Sequence, residues 1–531
     1  RLPRLSQEFC ILSMSDLKPQ TGAPLAIGVY LILSLNQKLV GEGIARLLAI
    51  TIEKLGKRGT RFTLFALPWS KPEIDDYIRE YSIQDYVTVA YFPTRTPRLF
   101  KFWKWYSQLR NGAAKPASQI GRRQKIEGYC LTRFPLLTIT FGLILQLVDF
   151  VVRNICKLVV KLFSWGGRGV IRRLSHVRQR YYDLCFERYA ILLAEYLSAS
   201  AVDCAYVPNL ASPQARFIRK PLVVSFPDYV PREFPELFDR TWMYLVRKNA
   251  MMVLSKASAT ISFCEHVRKH HAVEYCLVPE DRAFLIHHGP FPADSYILDS
   301  QGRLLSREAC ALLLHDYVEQ RFTKTNPAHE FEPYYAMALP QWDFTAQRYI
   351  MLSTQNRPYK NVLRVIRAVH QLNRRHHLNL KIIMTGAPAG DIAAYIHKHY
   401  LYEDVIALTR VPEKIHSALF RCAALAIQPS QFEGGFTATL SQAVSVGVPV
   451  LLSRMQAHTE RLPHEGNEDT YFNPLSTREL SKKILWALEN HKLLLEQQKK
   501  IYDQLAQRSW DDVADDYGRV FRYAIAHPRN Q

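Results

Sequence analysis

Residues able to handle an anionic group fall in two short segments, with Arg357 and Lys360 in NRPYKN and Glu433, Gly434 and Gly435 in QFEGGFTATL. A guanidinium clamps phosphate oxygens through two parallel hydrogen bonds and an ammonium adds a compact charge, so Arg357 and Lys360 suit a phosphate group. Paired glycines let the backbone approach a ligand closely, and the N–H groups of Phe436 and Thr437, at the expected start of a helix, favour negative charge. Plainer readings stay open: two exposed cations in a turn, and a carboxylate at a helix start. A second glycine loop, GEGIAR with Gly41 and Gly43, and Asp228 in VVSFPDYV complete the set; Asp228 could instead cap the following turn. Histidines 266, 270, 271, 287 and 288 invite a metal reading. His266 and His270 are one helical turn apart, but no carboxylate at a metal-site spacing accompanies them, so no metal is expected. His287 and His288 are left as residues that could line a cleft.

These segments need a frame, and the chain reads as alternating strands and helices. PLAIGVYLILSL, TRFTLFALP, VDCAYVPN, PLVVSFPD, SATISFC and RAFLIHHG read as strands of a first series; YIMLST, LKIIMTG, VIALTR, AALAIQPS and VPVLLS make a second, with helices between. Such alternation argues parallel sheets with helices on both faces. The expected fold is α/β, two Rossmann-like domains in tandem facing a cleft. Ligands bind beyond the carboxyl ends of strands in such sheets, and the loops above follow strands. The expected organisation is an N-terminal domain over residues 1–290, a linker or insertion over 291–344, a C-terminal domain over 345–510, and a last helix over 511–531 that crosses back.

QPSQFEGGFTATLSQAVSVGVPVLLS, residues 428–453, resembles the donor-binding signature of the family-4 retaining glycosyltransferases of GT-B fold. The resemblance extends through YIMLSTQNRPYKNVLRVIRAV, 349–369, and VPEKIHSALFRCAALAIQPS, 411–430, and is patchier over GEGIAR and SATISFCEHVRKHHAV. It implies that Arg357 and Lys360 neutralise the diphosphate, that Gly41 and Gly43 face the donor phosphates, and that Glu433 contacts the transferred sugar. The family commonly has a second glutamate on the ribose. Its best match is Gln442, one residue further on than usual, which keeps hydrogen bonding but loses charge assistance. Where many relatives carry His-Asp, this chain has Pro227 and Asp228. No cofactor is implied, because cations and a helix start take the place of a metal.

Composition bounds the rest. The 531 residues, 48% hydrophobic and 22% charged, are too many for one core and argue against disorder or a coiled coil. Of the formal +21, the window Arg95–Arg188 holds +15, from 19 basic and four acidic residues. Within it Phe134–Val148 is uncharged but short for a span. The following residues put Arg153, Lys157 and Lys161 on one helical face with apolar residues on another, and LFKFWKWYSQLR interleaves aromatics with cations. A basic, membrane-associating insertion over 95–188 is therefore expected, with a solvated helical subdomain as the plainer reading; no nucleic-acid signature is present. Nine scattered cysteines without CxxC spacing, and no leader-like apolar run, read as reduced thiols in a cytoplasmic protein on the inner face of the membrane. The expected activity is retaining transfer from a UDP- or GDP-linked sugar to a membrane-associated acceptor, a lipid-linked saccharide or polysaccharide. The alternative is a catalytically weak scaffold subunit working with other assembly proteins, motivated by Gln442 and Pro227.

Overall fold

The computed structural model of the protein describes residues 24–34, 37, 39, 43–92, 183, 186–210, 212–324 and 329–529. Gly41 and nearly all of the 95–188 segment lie outside these residues. Two parallel sheets organise the rest. The first contains β1 (Ala26–Leu31), β2 (Arg61–Ala66), β3 (Val87–Tyr91), β4 (Cys204–Val207), β5 (Leu222–Ser225), β6 (Ala259–Ser262) and β7 (Ala283–Leu285), in the order β3-β2-β1-β4-β5-β6-β7. The second contains β8 (Tyr349–Leu352), β9 (Lys381–Met384), β10 (Val405–Ala407), β11 (Leu425–Gln428), β12 (Val450–Ser453) and β13 (Tyr471–Phe472), in the order β10-β9-β8-β11-β12-β13.

Strands of the first sheet read as continuous apolar runs because both faces are covered. Alternate residues serve different layers: Cys204 and Tyr206 of β4 join one core, Ala205 and Val207 the other. One layer is closed by the helix Trp510–Ala526, whose Val513, Tyr517, Val520 and Phe521 are buried against Tyr206 and the helix Gly43–Gly56. Its start is fixed by a capping box between Ser509 and Asp512, and Lys54 bonds Asp511 at 2.9 Å.

Two differences from the sequence reading have physical causes. Edge strands β3 and β13 are not marked in it; β3 is only half buried along its length, so its apolar pattern is weak, and β13 has two residues. The 291–344 stretch, expected as a linker or insertion, is built into the second core through Ile297, Cys310, Leu314, Val318, Tyr335 and Phe344. Among the described residues no helix is long and apolar enough to cross a membrane.

Candidate functional site

In each sheet the strand order reverses once, between β1 and β4 and between β8 and β11. The crevice at such a reversal is where an open α/β sheet binds its ligand, because the two loops leave in opposite directions. Arg357 and Lys360 follow β8, and Glu433 follows β11. The fold thus brings both candidate segments to one switch point.

There Lys360 Nζ donates to both oxygens of Glu433, at 2.6 and 2.7 Å, with both side chains mostly buried. Ser430 Oγ at 2.6 Å and Gln428 Nε2 at 3.1 Å also donate to Glu433. The two loops are tied by backbone: Gln431 N–H bonds the Tyr359 carbonyl at 2.8 Å. Asn361, in the left-handed region at φ 59°, donates from Nδ2 to the carbonyls of Pro429 (3.1 Å) and Pro474 (2.8 Å). Asparagine tolerates this conformation better than most residues, which lets the chain turn straight from Lys360 into the helix Val362–His376. Arg357, at the surface, donates to the Tyr359 hydroxyl at 3.0 Å.

Asp228 enters from the first domain. Its surface opens on the cleft, yet protein crowds it on most sides, and this desolvation raises its pKa above the ordinary carboxylate value. Glu433 adds to the rise, while Lys360, Arg357 and His271 oppose it. Asp228 therefore feels the same charges as the two loops of the second domain.

The paired glycines do something beyond the sequence expectation. A Cβ on Gly434 would lie 1.8 Å from the carbonyl oxygen of Pro227, and one on Gly435 would lie 3.0 Å from Cβ of Phe263, with which Gly435 forms a parallel bridge. What approaches these glycines is the backbone of the opposite domain. The bridge holds the segment extended, so the helix opens at Thr439, beyond Phe436 and Thr437, and not at those two residues. Gln442 lies within this helix, 5% exposed. Gly43 starts the helix Gly43–Gly56, with none of the described residues within 4 Å of its Cβ position. Further contacts close the cleft: Phe234 stacks on Tyr359 at 5.7 Å, and Glu460 accepts the Glu265 N–H with both oxygens at 2.8 Å.

His458, absent from the sequence reading, supports the loop from Glu433 to Thr437. It is fully buried, with Nδ1 2.8 Å from the Ser453 carbonyl and Nε2 2.9 Å from Thr437 Oγ1, so Nδ1 carries the proton and the threonine donates to Nε2. Burial holds its pKa down at about 4, against the opposing pull of the Ser453 carbonyl and Glu433. A folded pKa below the free value of 6.5 means that the unfolded chain binds the proton more readily. The stability this ring contributes is complete above pH 6.5 and is lost as pH falls toward 4. The Tm of the wild type should therefore drop more steeply across this window than that of His458→Gln; parallel curves would exclude the contribution.

Histidines 266 and 271 do have a carboxylate, Glu233, which spacing along the chain could not reveal because it comes from a turn 33 residues before His266. His266 Nε2 lies 3.1 Å and His271 Nε2 2.7 Å from Glu233 Oε1. Hydrogen bonds to these two rings hold the Glu233 carboxyl well below its ordinary range. His270 instead meets Glu274 at 2.8 Å. His287 and His288 are held neutral, at about 4 and about 3, chiefly by burial. A cavity of about 340 Å³ opens beside Glu433, with Glu233 and His266 on its first-domain wall and Arg454 on the other.

Residues 341–504 match the family model described as glycosyl transferases group 1. No curated protein matches the chain in sequence. Solved structures align with nearly all of it. Anabaena HepE in complex with UDP-glucose is 14% identical at a TM-score of 0.52, covering 93% of this chain and 98% of that one. The N-terminal domain of Candida albicans trehalose-6-phosphate phosphatase is 11% identical at 0.55, covering 95% and 98%. Sucrose-phosphate synthase from Thermosynechococcus elongatus is 11% identical at 0.54, covering 94% and 99%. At such identities what is shared is the fold. The chain has the GT-B architecture of two parallel sheets facing a cleft, and the match to the glycosyl transferases group 1 model falls on its second sheet and the helices around it.

Proposed function

We propose that the protein transfers a sugar from a UDP- or GDP-linked donor to a membrane-associated acceptor, a lipid-linked saccharide or polysaccharide, with retention at the anomeric carbon. The observation that carries this reading is the convergence of Lys360, Arg357 and Glu433 at the switch point of the matched domain, with Asp228 facing them. The bond from the anomeric carbon to the diphosphate breaks as Arg357 and Lys360 take up the developing charge. The acceptor oxygen then bonds to that carbon from the same face, and its proton goes to the departing phosphate. Glu433 holds Lys360 until the donor enters and then contacts the sugar, while Gln442 serves the ribose. Gly43 faces the donor phosphates from the first domain, and the resemblance gives Gly41, outside the described residues, the same part. In this scheme the two cations replace a metal at the diphosphate. HepE, of the same fold, has been crystallised with UDP-glucose, which favours a uridine nucleotide as the first to try.

The test is a thermal-shift screen of nucleotides. One of UDP or GDP should raise Tm in a concentration-dependent way, as expected for a ligand that binds the folded state alone. No response to any nucleotide would favour the competing reading, a scaffold subunit, for which Gln442 and Pro227 speak.

Association with the inner membrane face is part of the proposal. It rests on the charge of residues 95–188 and on the helix Arg240–Leu254, whose Trp242, Tyr244 and Leu245 are exposed beside Arg240 and Lys248. Each cation near an anionic leaflet contributes about 1 kcal/mol. The protein should sediment with anionic vesicles, less with neutral ones, and be partly released by salt. Replacing Lys101, Lys104, Arg153, Lys157 and Lys161 with Gln should weaken the salt-sensitive part. Equal binding to both vesicles, or none, would remove the membrane from the scheme.

A further inference from the structure

We propose that Glu233, His266 and His271 form a binding site for one divalent transition-metal cation of the zinc class, on the first-domain wall of the cleft. Their ligand atoms lie within 4.8 Å of one another, and both imidazole Nε2 atoms converge on a single oxygen of Glu233. Two imidazole nitrogens and one carboxylate oxygen are a donor set that zinc takes with a further position open. Glu233 and His266 border the cavity beside Glu433, so the open position faces the cleft.

The backbone gives an independent reason. His266 and His271 are five residues apart, and on an α-helix they would point about 140° away from each other. Here the segment Val267–Tyr275, which starts beside His266, is a π-helix, whose i→i+5 bonding turns less per residue than an α-helix and so brings residue i+5 closer to the face of residue i. The Cys276 N–H bonds the His271 carbonyl in that pattern at 2.9 Å. The winding puts the two rings 5.3 Å apart on one face. Such windings are rare and concentrate at functional sites, and this one has the effect of aiming both histidines at one carboxylate.

The ion would sit apart from the diphosphate. Glu233 ends the short turn Val230–Glu233, which follows the Pro227–Asp228 segment that Gly434 abuts. A bound cation would fasten that turn to the π-helix and fix the surface on which the second domain closes. Among the described residues Nδ1 of His271 is buried without a partner, so this ring lacks there the outer hydrogen bond that usually strengthens a metal ligand. An affinity in the micromolar range, about ten- to a hundredfold weaker than a fully supported site, is expected.

The experiment uses the full chain, stripped with chelator and titrated with Zn²⁺ by calorimetry and with Co²⁺ by its visible absorption. One equivalent should bind, with the spectrum of a four-coordinate ion and a rise in Tm. Glu233→Gln and His266→Asn should each weaken binding at least about tenfold. His266 is partly exposed, so its variant should fold even where a change at the buried His271 does not. His270→Asn, on the same helix but paired with Glu274, should bind as the wild type. Absence of saturable binding, or equal affinity in Glu233→Gln, His266→Asn and wild type, would overturn the site. Neither readout involves sugar transfer, so the outcome stands apart from the proposed activity.

Discussion

Lys360→Ala should lower turnover of the nucleotide sugar at least about tenfold, because one charge-assisted contact is worth about 1.5–3 kcal/mol. The effect has two sources. A donor diphosphate loses its compact cation, and Glu433 loses the partner that donates to both its oxygens. Ser430 and Gln428 still hold Glu433, but as an uncompensated carboxylate facing Asp228, whose protonation it already favours. Arg357→Ala should act in the same direction by a smaller factor, since Arg357 lies nearer the surface. Steady-state rates, with unfolding curves to confirm that each variant folds, decide the matter. Wild-type turnover in both would remove the proposed site.

Gly434→Ala should be more damaging than its size suggests, lowering kcat/KM by about a hundredfold, the order expected when reacting groups are displaced by about 1 Å. The added methyl would coincide with the Pro227 carbonyl oxygen, 1.8 Å away, and press on Cβ of Asp228 at 3.0 Å. The oxygen is backbone and cannot rotate aside. Gly434 has no positive φ, so alanine fits the local conformation and the conflict lies wholly between the domains. The domains should part slightly while each stays folded, leaving Tm nearly unchanged and nucleotide binding largely intact. Gly435→Ala, meeting a side-chain carbon at 3.0 Å, should cost less. Full activity of Gly434→Ala would mean that the closed arrangement is not the working one.

The second sheet, apart from its edge strand β13, was legible in the sequence because its strands are short apolar runs between helices of clear period, such as Val362–His376 with its buried Val365, Ile366, Val369 and Leu372. The NRPYKN and EGGF segments stood out because glycine, acid and base stand together after strands, and the fold brings these two loops into contact. What stayed hidden depends on contacts distant in sequence. Gly434 and Gly435 read as room for a ligand, whereas their near neighbours are Pro227 and Phe263, more than 150 residues earlier. Glu233 meets His266 and His271 through a winding that α-helical spacing misreads, so the spacing of His266 and His270 gave no sign of this contact. His458 gave no signal, because nothing in its own neighbourhood marks it as the support of Thr437.

The helix Trp510–Ala526 that closes the first core has a consequence for biosynthesis. A chain grows from its N-terminus, so β1 to β7 are complete long before this helix is made, and every strand of the second sheet comes in between. Until then Tyr206 and the apolar side of Gly43–Gly56 lack the cover of this helix, and the nascent first half presents the kind of exposed apolar surface that aggregates or recruits chaperones. The first domain is therefore not a unit that can be excised after β7. A soluble version should need the last helix rejoined behind β7 by a linker, whereas the buried residues of the second core, from 293 to 501, include none of it.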